Sequence, residues 1–106
     1  MFYIKMKYNK LVRDKIPEII KEKGKNPTTH KASEEEYWSK LKEKLQEEVN
    51  EFLEESNEEE LSDILEVIDS ICNFKNFDKD KLNEIKEKKK EERGGFEDRI
   101  ILDEVD

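Results

Sequence analysis

Between Ser33 and Arg93 the apolar residues recur at intervals of three and four, the period of an amphipathic helix, in three blocks divided by short polar breaks. Ser33 with Glu36 forms a capping box, in which hydroxyl and carboxylate each satisfy a backbone N–H, and it opens a helix running to about Glu55. Asn57 with Glu60 caps the next helix in the same way, to about Phe74, leaving only a tight turn that sets the two antiparallel. Asp78 caps a third helix over about 79–93, which Gly94-Gly95 ends. Upstream, Pro17 in a first turn and Gly24 as a stop predict a short helix over about 17–23. Residues 1–8 alternate loosely, and Arg99-Ile100-Ile101-Leu102 is a β-branched run; the two predict short extended segments that pair as a small sheet. The expected fold is mostly α, one domain over 1–106: an antiparallel helical bundle with short N- and C-terminal extended segments, its core completed by oligomerisation.

Face matters more than spacing in this chain. At about 100° per residue, Tyr37, Leu41, Leu45, Val49 and Phe52 share one side of the first long helix. Glu48 falls in the middle of that stripe, roughly 20° from Leu41, and Glu51 lies on its border. On the second long helix Leu61, Ile64, Val67, Ile68, Ile71 and Phe74 form an unusually wide stripe, suited to a helix touching both a partner helix and a second subunit. Glu60 lies among them and Asp63 at their edge, while Cys72 reads as a small buried residue. Glu66 and Asp69 take the opposite side and read as solvated surface. A carboxylate aimed into a core is costly, and a cation offsets the cost. The pairs Glu48/Glu51 and Glu60/Asp63, each spaced i,i+3 on consecutive helices, therefore point to a divalent-cation site. The plainer alternative is a helix border in a Glu-rich chain.

Composition narrows the classes. Charged residues make up 47% and apolar ones 33%, so a lone monomer has a thin core, and at least a dimer is expected. A formal charge of -8 disfavours duplex nucleic acid, whose phosphates need a basic face. No apolar run approaches the ~20 residues of a membrane span, and no secretory signal precedes the first charges. The single Cys72 cannot form an internal disulfide, which suits a reducing, cytoplasmic setting.

The stretches Leu45-Gln46-Glu47-Glu48-Val49-Asn50-Glu51-Phe52 and Glu59-Glu60-Leu61-Ser62-Asp63-Ile64-Leu65 carry an E-x-x-E … E-x-x-D pattern. In it the chain resembles the MazG-like all-α nucleoside-triphosphate pyrophosphohydrolase superfamily. Two further stretches, Tyr8-Asn9-Lys10-Leu11-Val12-Arg13-Asp14-Lys15-Ile16-Pro17 and Arg93-Gly94-Gly95-Phe96, are similar to a compact house-cleaning subgroup. The resemblance implies Mg²⁺-dependent hydrolysis (Mn²⁺ as a substitute) of a nucleoside triphosphate between its α- and β-phosphates, giving a monophosphate and pyrophosphate, on noncanonical nucleotides for the subgroup. Carried over, Glu48, Glu51, Glu60 and Asp63 would be the metal ligands, with Glu48 and Glu51 catalytic. Only eight residues separate Glu51 from Glu60, fewer than the family linker, and Glu60 is the ligand whose register this shortening touches.

The other two blocks have readings of their own. Lys10, Arg13 and Lys15 form a basic cluster among apolar residues, suited to phosphate oxygens through charge-assisted hydrogen bonds or, alternatively, to surface ion pairs. Arg93 and Phe96 flank a glycine pair that could close over a nucleotide, the alternative being a helix cap and a core Phe. Tyr37, Trp38 and Phe52 read as packing, and His30 has no partner that would give it a role. The expectation is a metal-dependent nucleotide pyrophosphohydrolase working as a homodimer or homotetramer. Its rivals are a non-catalytic helical interaction module and a nucleotide- or metal-binding regulator that kept the acidic site.

Overall fold

The computed structural model describes residues 7–106, which contain four helices and no strand: α1 (Ile16–Glu22), α2 (Glu34–Glu55), α3 (Glu58–Lys75) and α4 (Lys79–Arg93). Each start is set by the cap that the sequence supplies. Ser33 accepts from the Glu36 N–H, Asn57 from the Glu60 N–H, and Asp78 from the N–H groups of Asp80 and Lys81. Such caps satisfy donors that have no partner inside the helix, each contributing ~1 kcal/mol. Helix α1 begins one residue earlier than expected, at Ile16, and ends in a turn where Gly24 takes φ +80°, a conformation costly for any residue with a Cβ. Asn76 ends α3 in the left-handed region, and the Phe77 N–H returns to the Cys72 carbonyl at 2.9 Å, closing a Schellman-type turn.

The packed unit is the hairpin of α2 and α3. Only Ser56 and Asn57 separate the helices, and the Ser56 N–H donates to the Phe52 carbonyl at 2.7 Å. The helices run antiparallel: Tyr37 and Trp38, early in α2, pack on Phe74, late in α3, with ring centroids 5.3 and 5.8 Å apart. Leu41 and Val67 are buried between them, and Cys72, buried on the side of α3 that meets α4, completes the buried apolar set among the described residues. The expected wide stripe of α3 is only partly covered, since Leu61 remains exposed, as does Leu65 beside it.

Segment 9–14 lies across the hairpin, tied by Lys40 Nζ to the Asn9 carbonyl at 2.8 Å and by Lys10 to Glu47 at 3.2 Å. Helix α4 meets α3 at its first turns, where Lys79 pairs with Asp69 at 3.4 Å, and it has no buried residue. The anticipated terminal sheet is not formed by the tail: Ile100, Ile101 and Leu102 lie exposed outside any strand, and of the expected pairing segment, residues 1–8, Lys7 and Tyr8 are in no strand while residues 1–6 lie outside the described residues. No helix among the described residues is long and apolar enough to cross a membrane.

Candidate metal centre

The hairpin brings two acidic helix faces together near its closed end. One carboxylate oxygen each from Glu48 on α2 and Glu60 and Asp63 on α3 lie within 4.8 Å of one another. The turn chemistry produces this directly. Asn57 caps α3 three residues before Glu60, so the same side-chain bond that starts the helix fixes the rotation of its first acidic turn. Glu48 enters from the opposite helix at the one position where α2 carries an acid within its apolar stripe.

Burial makes the group unusual. Glu48 is only 6% exposed. Its Oε1 lies 3.3 Å from the Lys44 ammonium, while its Oε2 has no hydrogen-bond partner among the described residues. Glu60 is half-buried and its Oε2 is equally unpartnered. An unmade hydrogen bond on a buried polar atom costs ~1–3 kcal/mol, more when the group is charged. Two such oxygens beside a third carboxylate are what a cation would satisfy.

Charges around the trio are unevenly balanced. Burial pushes the Glu48 carboxyl above its ordinary value; Lys44 opposes the rise, and the neighbouring Glu51 carboxylate reinforces it. At Glu47 burial acts in the same sense, but hydrogen bonds and attraction from Lys10 and Lys44 together outweigh it and hold that carboxyl below its ordinary value. Arg13 reaches from the N-terminal segment to Asp63, its Nη2 2.7 Å from Oδ1. Beside the trio opens a cleft of about 190 Å³ with Arg13, Asp14, Lys44, Glu48, Asp63 and Glu66 on its walls.

Of the four acids expected as ligands, three converge. Glu51 is half-buried one turn beyond Glu48, near enough to disfavour its charge but outside the converging trio. Glu60 is inside it, short linker notwithstanding. Of the expected phosphate-binding residues, Arg13 lines the cleft, Lys10 is engaged with Glu47, and Lys15 is exposed at the start of α1. Arg93, the last residue of α4, and Phe96 beyond it are exposed and line no part of the cleft. His30 pairs with Glu36 at 2.8 Å, away from the acids. Sequence reasoning missed Lys44, although its place four residues before Glu48 was the available signal. Glu66, expected on a solvated face, is exposed and also borders the cleft, whose facing wall segment 11–14 supplies.

The donor set fits a hard divalent cation. Oxygens opposite each other across Mg²⁺ at ~2.1 Å stand ~4.2 Å apart, so oxygens within 4.8 Å reach an ion with sub-ångström side-chain adjustment. Three carboxylates on two helices leave further coordination positions for water or substrate oxygens, the usual arrangement for Mg²⁺.

Comparison with known proteins adds little to this geometry. No family model matches the chain, and no solved structure matches it. An uncharacterized protein of Mycolicibacterium smegmatis is 51% identical over 41 residues, which cover 39% of this chain. The chain spans 42% of that relative's length, and the likeness brings no activity with it.

Proposed function

We propose that this chain is a Mg²⁺-dependent nucleoside-triphosphate pyrophosphohydrolase that cleaves between the α- and β-phosphates, with noncanonical nucleotides as the substrate class the resemblance suggests. The observation that carries the reading is the pair of buried, unpartnered oxygens on Glu48 and Glu60, facing Asp63 across the hairpin. Glu48, Glu60 and Asp63 would hold Mg²⁺, or Mn²⁺ in its place. When bound, the ion would supply charge neutralisation at phosphate oxygens and a water of lowered pKa.

The chain's own residues have distinct tasks around that centre. Lys44 opposes the rise that burial gives the Glu48 carboxyl, favouring the charged form that a ligand needs. Glu51, close by but outside the trio, is the carboxylate left to orient the attacking water. Arg13 holds Asp63 in the resting state and is the nearest fork-shaped donor for a phosphate entering the cleft. Lys10 and Lys15 on the same segment extend the basic side of the entry. A homodimer or homotetramer in a reducing compartment such as the cytoplasm fits the thin core and the free, buried Cys72.

The test is a panel of nucleoside triphosphates incubated with Mg²⁺ and scored for pyrophosphate and monophosphate. Release by the wild type and its loss in Glu48→Gln supports the enzyme. Saturable nucleotide binding with no release on any member of the panel would instead make the protein a regulator.

A further inference from the structure

The chain is too open for its size. Its radius of gyration is 19.1 Å, against ~13 Å for a compact domain of 106 residues. Its accessible surface is 10489 Å², whereas a compact monomer of 12.8 kDa exposes about 6,300 Å². The excess, on the order of 4,000 Å², is larger than one standard docking patch, which removes ~800 Å² from each partner. An obligate pair removes ~1,000–2,500 Å² or more from each chain, so an excess of this size calls for chains that intertwine.

The bare surface has two complementary parts. One is the tail, where Phe96, Ile100, Ile101, Leu102 and Val105 are between 77% and 96% exposed. The other is the outer face of α3 near the hairpin turn, where Leu61 and Leu65, one helical turn apart, are exposed, with Leu53 across the turn. Charge is complementary as well. The distal half of α4 carries Lys86, Lys88, Lys89, Lys90 and Arg93 against Glu87, Glu91 and Glu92, an excess of two positive charges, and the turn is flanked by Glu54, Glu55, Glu58 and Glu59, all exposed. Within one chain these parts do not meet, each being left exposed. Helix α4 leaves from the end of α3 opposite the turn, ~27 Å away along an 18-residue helix, and packs on α3 only at its own first turns.

We propose that α4 and residues 94–106 form an arm exchanged between two copies of this chain. The Ile100–Leu102 stretch covers the Leu61/Leu65 face of the other copy, and the Lys-rich half of α4 meets that copy's acidic turn. Gly94, at φ +85° with open space around it, is the pivot between helix and tail. The inference does not depend on the catalytic reading: it would stand if no nucleotide were cleaved.

Light scattering after gel filtration tests the pairing, and Ile101→Asp tests the arm. A single chain leaves Ile101 exposed, so that substitution has no folding role to disturb unless a second copy covers it. The wild type should run at twice 12.8 kDa, and Ile101→Asp should run as a monomer with its helical circular dichroism kept. A wild-type monomer, or an Ile101→Asp dimer as tight as the wild type, overturns the proposal. Exchange itself is read in a Cys72→Ser background by refolding a tagged Leu65→Cys chain together with an untagged Ile101→Cys chain. A disulfide joining tagged to untagged chain is expected. In the Leu65→Cys/Ile101→Cys double variant, a cross-link closed within one chain overturns the proposal.

Discussion

Replacing Glu48 by Gln separates a metal ligand from a merely buried acid, because the two roles give opposite signs. In the metal-free protein Glu48 is a 6% exposed carboxylate with one oxygen unpartnered and Glu51 pressing on its charge. The amide keeps the volume, removes the charge and presents N–H donors to Glu60 and Asp63, whose oxygens lie within 4.8 Å. Lys44 loses one partner but keeps Glu47 at 3.2 Å. Relieving an unsatisfied buried group is worth ~1–3 kcal/mol, and after the lost ion pair a net gain of about 1 kcal/mol remains. For a domain this size that is ~4–8 °C in melting temperature.

Magnesium should then act on only one of the two proteins. At ten times its dissociation constant it stabilises the wild type by about 1.4 kcal/mol, and it should do almost nothing for Glu48→Gln, which lacks a ligand and a charge. The assay is thermal unfolding by far-ultraviolet circular dichroism at fixed protomer concentration, with Mg²⁺ and with EDTA. A variant that melts below the wild type, or keeps the full Mg²⁺ shift, would refute the assignment of Glu48 as a ligand.

The same site predicts a pH dependence. Glu48 has its folded pKa raised, so the metal-free fold has that group's contribution in full below the ordinary value of 4.5 and loses it as pH rises through the folded pKa. Glu47 is held low, so its contribution is lost instead as pH falls through its folded pKa; melting temperatures across pH should show Glu48→Gln removing the first decline and leaving the second. Arg13→Gln should tighten Mg²⁺ binding in calorimetry, since Asp63 loses a guanidinium 2.7 Å away, yet raise KM for a triphosphate several-fold; a change of the same sign in both would count against Arg13 serving phosphate. Asn57→Ala and Asp78→Ala should each cost ~1 kcal/mol in denaturant melts, but only Asn57→Ala, whose cap sets the Glu60 turn, should also weaken Mg²⁺ binding.

Much of the fold was legible because its punctuation is local. Ser33, Asn57 and Asp78 act on N–H groups two or three residues away, so the starts of α2, α3 and α4 could be read from the chain alone. The position of Glu48 was legible for a related reason: helical rotation about a known apolar stripe needs no knowledge of the partner. The choice of third ligand was not. Whether Glu51 or Glu60 joins Glu48 depends on how far α2 and α3 are offset along their axes, which packing of Tyr37 and Trp38 on Phe74 decides at the other end of the hairpin. The Arg13–Asp63 pair spans fifty positions, and nothing local to either residue announces it.

The tail shows a different kind of limit. Arg99 to Leu102 has the composition of a buried strand, yet it lies in the open with Ile100 at 82% exposure. Sequence pattern reports that a surface wants to be covered, not which molecule covers it. Here the hairpin and the arm each have an uncovered apolar face, and the two do not meet within one chain. The same arrangement explains why a 47% charged chain carries so many well-spaced apolar residues with only Leu41, Val67 and Cys72 buried among the described ones. A core divided between two copies needs the full stripe, while one copy alone can close only the seam between α2 and α3. On that reasoning the acidic centre, which sits on this seam, can form within a single chain, and Mg²⁺ binding should survive Ile101→Asp even as the pair falls apart.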